Sequence, residues 1–363
     1  MSGERRQRLA PRLAEAGLDA LLVWSSPNRR YLSGFTGSSA YLLAGADGRG
    51  LLLTDFRYLE QAAAQAPGWT VIRHGRDVWS DLAGQAAAAG WRTVGVEADH
   101  VTLAAFRRLE AAGEARGITW RPVSGLVEGL RLVKTPDEVE AVRAAAALAR
   151  RALEAVWPRL VPGVSEAEVA LELECTMRRL GAEAEAFPTI VASGPRGSLP
   201  HARPGPRRLE AGDLVTIDFG ARLDGYHSDE TVTVGIGAAA AAHPLRPVYE
   251  VVRRAQAAGI AAIRPGVPAS AVDRAARGVI EEAGYGEAFG HSTGHGVGLE
   301  VHEAPWAAAQ PPVDYVLEPG MILTVEPGIY LPGRGGVRLE DTLVVTETGC
   351  ERLTTWDKDW RTT

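Results

Sequence analysis

Residues 214–234, LVTIDFGARLDGYHSDETVTV, leave the chain little choice of local fold. Two runs of alternating apolar and polar residues flank Leu223-Asp224-Gly225, and Asp-Gly between such runs predicts a hairpin. Side chains alternate along a strand, and directly opposed residues share a face. A turn on Asp224-Gly225 therefore sets Asp218 opposite Thr231, with Asp229 two residues before it. All three then share one face, while Ile217, Phe219, Val232 and Val234 take the other. Two carboxylates this close repel, and keeping both charged in an apolar pocket requires a cation. A single aspartate would read as a solvated strand residue; what lies downstream decides otherwise.

Phe289–Glu303 reads FGHSTGHGVGLEVHE, whose glycines rule out a packed helix and let backbone and imidazoles approach a ligand closely. Met321–Tyr330 (MILTVEPGIY) and Val337–Val345 (VRLEDTLVV) predict a second hairpin around Leu331–Gly336, with Glu326 and Glu340 in apolar runs. Carboxylates in such runs are seldom buried without a partner. Asp218, Asp229, Glu326 and Glu340, together with His295, thus supply four oxygen ligands and one imidazole. That set suits a binuclear divalent site, with Mn²⁺ favoured and Co²⁺, Fe²⁺ or Zn²⁺ possible.

Competing chemistries fit less well. Gly290-His291-Ser292-Thr293-Gly294 matches G-x-S-x-G, but that motif needs a following helix, which Gly294, Gly296 and Gly298 oppose. His302-Glu303-Ala304-Pro305 is not HExxH, for no second His follows and Pro305 breaks a helix. A net charge of −6 without basic runs gives no nucleic-acid surface. The two cysteines make no disulfide framework, and no apolar run is long enough to span a membrane. The N-terminus reads as a helix and a strand rather than a signal peptide, so a cytoplasmic location is expected.

Residues 1–126 alternate strands and helices, predicting an α/β domain: a helix near Arg5–Ala16, strands at Ala20–Trp24, Tyr41–Ala44, Gly50–Thr54, Trp69–Arg73, Thr93–Glu97 and Ile118–Pro122, with helices between. Ser33–Ser39 reads as a polar loop with an exposed Phe35. A boundary near Val123–Glu128 precedes residues 127–363, which open on a helix capped by Thr135 with Pro136 in its first turn. Within them Pro162-Gly163-Val164 and its following helix match Pro265-Gly266-Val267, 103 residues on, and its own helix. A duplicated α+β domain with its site between the halves follows from that repeat.

DFGA…GYHSD, GHGVGLEVHE, TVEPGIY and VRLEDT, in this order, resemble the pita-bread metallopeptidases, the family of aminopeptidase P, prolidase, methionine aminopeptidase and the metal-free creatinases. The likeness covers essentially the whole chain and implies a creatinase/prolidase-like N-terminal domain before a pita-bread catalytic domain with pseudo-twofold repeat. It implies that Asp218, Asp229, His295, Glu326 and Glu340 hold two metal ions, with Asp229 and Glu340 bridging. Glu326 would also take a proton from the attacking water. His201 and His302 would hold the substrate carbonyl and developing oxyanion, His291 would line the pocket or cap the glycine loop, and Arg338 would orient the bridging carboxylate. One departure stands out: the family usually has Arg after the Thr that follows the second Asp, and here the residue is Val232.

The retained ligands speak against a creatinase or an inactive binding module of this fold, and the front domain against a methionine aminopeptidase. Two activities remain. Aminopeptidase P removes a residue ahead of proline from longer peptides; prolidase splits Xaa-Pro dipeptides. Tyr31–Ser39 and Thr54–Tyr58 are similar to segments of aminopeptidase P that reach the site from a partner subunit, which favours aminopeptidase P and a homodimer.

Overall fold

In the computed structural model, which describes residues 2–363, contacts divide the chain into the units Met1–Arg131 and Leu132–Thr363. The first is a six-stranded mixed sheet in the order Thr70–Arg73, Gly50–Thr54, Ala40–Gly45, Ala20–Val23, Thr93–Glu97, Thr119–Val123. Leu22, Leu43, Leu53, Val94 and Val96 bury one face under Leu82, Ala83, Ala86 and Leu109 of the helices Val78–Ala88 and Leu103–Glu114. The short helix Glu128–Arg131 belongs to this unit: Arg131 Nη1 donates to Asn28 Oδ1 at 2.7 Å, and the Tyr31 hydroxyl donates to the Leu130 carbonyl at 2.9 Å.

Two details differ from the sequence reading. Ser26–Ser33 is a helix, capped by Ser25 and with Pro27 in its first turn, where no apolar periodicity announced one. Phe35 is buried rather than exposed, its ring set edge-on against Tyr58 at 6.0 Å. Gly34, left-handed at φ 81°, ends the preceding helix and turns Phe35 inward; the exposed ring is Phe56, at 68 %.

The second unit repeats one design. Pro136–Val156 and Glu166–Arg179 in its first half match Arg246–Ala262 and Ser270–Glu282 in its second. The repeat extends to hydrogen bonds: Gly163 N donates to the Leu209 carbonyl as Gly266 N does to that of Leu317, and each leucine returns one to Val164 or Val267. Gly163 and Gly266 both need the left-handed region, at φ 96° and 83°. Each second helix also buries an acid that anchors a site strand. Glu166 Oε1 accepts from Ser193 N and Oγ; Asp273 Oδ1 accepts from Thr293 N and Oγ1. One three-stranded sheet joins Ile190–Ser193, Leu214–Phe219 and Glu230–Gly235; another joins Ile322–Val325, Asp341–Val345 and Cys350–Arg352. Among the described residues no helix is long and apolar enough to cross a membrane.

Candidate metal centre

Both hairpins change sheets at their acidic residues. Leu214–Phe219 pairs with Glu230–Gly235 in the register read from sequence, Asp218 facing Thr231 and Ile217 facing Val232. Past Gly220 the chain enters another sheet, Ala221–Leu223 with Tyr226–His227, and turns on Asp224 (φ 46°) and Gly225 (φ 71°). A Cβ on Gly220 would lie 1.9 Å from the Ser228 carbonyl oxygen, so only glycine permits the crossing that brings Asp229 beside Asp218.

The second hairpin breaks likewise. Val325 faces Asp341 and Gly328 faces Arg338, leaving Glu326 and Glu340 outside both ladders. Their amides are used elsewhere: Glu326 N donates to the Thr293 carbonyl at 2.7 Å, and Glu340 N to that of Thr231 at 3.0 Å. His295 arrives on Gly294–Gly296, held by its amide to Thr324 Oγ1 at 3.1 Å; a Cβ on Gly294 would sit 1.9 Å from the Thr324 carbonyl. A strand, not a helix, thus follows Ser292.

Asp218, Asp229, His295, Glu326 and Glu340 line one cleft of about 410 Å³ with His201, His291, His302 and Arg338. Its apolar walls include Phe187, Pro188, Ile190 and Trp306. Ligand atoms of Asp229, His295 and Glu340 lie within 4.8 Å of one another. Asp218 and Glu326 stand outside this tightest group. His295 Nε2 is 3.2 Å from Glu326 Oε1 and 3.7 Å from Asp229 Oδ2. Arg338 Nη2 donates to Asp218 Oδ2 at 2.7 Å. Thr231 Oγ1 donates to Glu340 Oε2 at 2.7 Å and accepts from Arg338 Nε at 3.2 Å.

The residues fit divalent ions. Asp218 Oδ1 and Glu340 Oε1 are buried without a hydrogen-bond partner among the described residues, the condition a cation would relieve. Burial pushes the carboxyls of Asp229 and Glu340 well above the ordinary range, and neighbouring acids add to it. Burial raises Glu326 too, but the His295 hydrogen bond and charge override it and hold this carboxyl near 2. Four acids so crowded cannot all be charged unaided, whereas two divalent cations would neutralise them.

The histidines divide by environment. His302 stacks 4.2 Å from the His295 ring, centroid to centroid, and burial together with His295 lowers it to about 4, so it is neutral at neutral pH. His201 is exposed on the cleft. His291 both lines the cleft and is held at its two nitrogens, Nδ1 by the Ser292 carbonyl at 2.7 Å and Nε2 by the Tyr330 hydroxyl at 2.9 Å. Tyr330 went unnoticed in the sequence. It accepts from Arg338 Nη1 at 2.9 Å, joining His291 to Arg338; a tyrosine in an apolar strand, whose hydroxyl needs a partner, was the available signal. Arg203 was missed as well. Its exposed guanidinium lines the cleft without a hydrogen-bond or ion-pair partner among the described residues, and an exposed arginine leaves no sequence signal.

Comparison with known proteins adds three results. Residues 140–347 match the model of metallopeptidase family M24, and residues 5–133 that of the creatinase/prolidase N-terminal domain. The chain is 35 % identical to the Xaa-Pro dipeptidase of Pyrococcus furiosus over 98 % of its own length and 99 % of the relative's. Among solved structures it resembles an Xaa-Pro dipeptidase from Bacillus anthracis (42 % identity, TM-score 0.95, all of both chains covered) and an X-Pro aminopeptidase from Thermotoga maritima (36 %, TM-score 0.89, 97 % and 100 % covered).

Proposed function

This chain belongs to metallopeptidase family M24, with the pita-bread fold of that family, and on that premise we propose that it is an Xaa-Pro dipeptidase. That it is a peptide hydrolase follows from the family. The finer reading reverses the preference for aminopeptidase P drawn from the front-domain segments. It is supported by the two relatives named dipeptidases and by one feature of the cleft: Arg203, whose guanidinium has no partner among the described residues, is available to the C-terminal carboxylate that a dipeptide carries next to its scissile bond.

The observation that carries the mechanism is the pair of buried, unpartnered carboxylate oxygens on Asp218 and Glu340, beside Asp229, His295 and Glu326. These five side chains would hold two divalent ions, Mn²⁺ by preference given four carboxylates and one imidazole. When bound, the ions supply Lewis acidity toward the water and the scissile carbonyl. Glu326, the acid held most firmly in its basic form, takes the proton of the attacking water. Neutral His302, with His201 on the same cleft, donates to the carbonyl oxygen as negative charge develops. Arg338 holds Asp218 and Thr231, keeping the carboxylates aimed. Phe187, Pro188, Ile190 and Trp306 provide an apolar wall for the proline ring. On the family resemblance we also read the protein as a cytoplasmic homodimer.

Hydrolysis of an Xaa-Pro dipeptide and an Xaa-Pro-Xaa tripeptide, compared in metal-stripped protein and after Mn²⁺ is restored, tests this reading. Mn²⁺-dependent turnover mainly of the dipeptide is expected. Preferential tripeptide cleavage would make the enzyme an aminopeptidase, and metal-independent turnover would overturn the proposed centre.

A further inference from the structure

Of the 39 lysine and arginine residues only Lys134 and Lys358 are lysine, and both are buried. Each pairs with an acid that directly follows a residue of the cleft. Lys134 Nζ lies 2.8 Å from Glu303 Oε1, next to His302. Lys358 Nζ lies 2.5 Å from Glu230 Oε1 and 3.4 Å from Asp341 Oδ1, next to Asp229 and Glu340. In extended chain successive side chains point to opposite faces, so an acid turned toward the cleft places its neighbour on the reverse side. Lys358 therefore sits behind the centre and joins the two hairpins that present Asp229 and Glu340.

The C-terminal segment supplies further contacts on this reverse side, and Asp341 Oδ2 also accepts from Arg352 Nε at 3.1 Å and from Gln256 Nε2 at 3.2 Å. Asp341 accepts from Thr354 Oγ1 at 2.8 Å, and Glu230 from Trp356 N at 3.2 Å. Glu230 Oε2 is buried without a partner, so Lys358 is the one side-chain donor this carboxylate has among the described residues. Val232, where the arginine is expected, belongs with Phe219 and Val234 to one buried apolar cluster, against which Trp356 packs.

We propose that Lys358 is a positioning residue for the metal centre, drawing Glu230 and Asp341 together so that Asp229 and Glu340 keep the spacing needed to share metal ions. Without the ammonium the bridge between Glu230 on one hairpin and Asp341 on the other is lost, and the ligands they follow, Asp229 and Glu340, are free to separate. Coupling between sites is reciprocal, so metal binding must in turn tighten the docking of residues 353–363. The inference rests on the metallopeptidase reading of the centre.

The test uses the full chain, stripped of metal. Hydrogen exchange of residues 353–363 is followed with and without Mn²⁺, and Mn²⁺ affinity is measured by calorimetry for wild type, Lys358→Met and Lys358→Met/Glu230→Gln. The double variant removes the acid that the single one leaves unpaired, so it separates loss of positioning from loss of fold. In wild type Mn²⁺ slows exchange in the tail; in the variants that response is lost and affinity falls about 10-fold, the lower range for residues that orient ligands. A folded variant with wild-type affinity, or a wild-type tail whose exchange ignores bound Mn²⁺, overturns the proposal while leaving the peptidase reading intact. Wild type that binds no Mn²⁺ overturns both.

Discussion

Arg338 Nη2 and Asp218 Oδ2 are joined at 2.7 Å, although 120 residues separate them, while the other oxygen, Oδ1, is buried without a partner among the described residues. The same guanidinium holds Tyr330, Thr231 and the Pro200 carbonyl, so its geometry is fixed from several sides. Arg338→Met should lower Mn²⁺ affinity and kcat/KM by about 10- to 100-fold without unfolding the chain. Calorimetry beside steady-state kinetics checks this, and unchanged affinity would remove Arg338 from the support of the centre.

Asp229→Ala and Glu340→Ala should each abolish Mn²⁺ retention and hydrolysis. Metal content after gel filtration, read with peptidase activity, decides it. Full activity with metal still bound would sink the ligand assignment.

His302→Ala should retain metal but lose about 10²- to 10³-fold in kcat, the scale of one lost oxyanion donor. Because burial and the neighbouring His295 already hold His302 near 4, its protonation should leave the rate flat from pH 6 to 8.

The metal-stripped protein should lose stability as pH rises above about 6.5, by the linkage between proton binding and folding. Asp229 and Glu340 carry raised carboxyl pKa values, from burial and neighbouring acids, so the native state binds more protons than the unfolded one and stability is lost as pH climbs through the folded values. His295 adds the same sign: burial opposes its charge, but Glu326 outweighs that and raises it. His302, lowered, has the opposite sign, but only below the unfolded value near 6.5. Thermal unfolding at several pH values should show the decline, and Mn²⁺ should restore most stability at the alkaline end.

Arg203→Met should raise KM for an Xaa-Pro dipeptide about 10-fold, the loss of one charge-assisted contact, while leaving the Xaa-Pro amide, which lacks the carboxylate, unaffected. Equal effects on both substrates would deny Arg203 the role of carboxylate receptor.

The local pattern was legible because it is written in nearest-neighbour geometry. Alternation around Asp224-Gly225 fixed the partner of Asp218, and the observed pairing with Thr231 follows it. The repeat around Gly163 and Gly266 foretold two matching halves, because each glycine must take the same left-handed turn. Family-like motifs named five acidic and imidazole donors that the fold does gather in one cleft. What sequence could not supply was whatever depends on chains meeting from afar. Nothing around Lys358 marks it as a cation for Glu230, 128 residues away, and nothing near Phe35 says that Gly34 will turn it inward. The sequence by itself determined which strands pair and which residue types are available to a metal. Only tertiary structure decided which carboxylate oxygens stay without partners, which arginine is engaged and which is free, and what lies behind the ligands, because burial and hydrogen-bond satisfaction are properties of the assembled interior and not of any one segment.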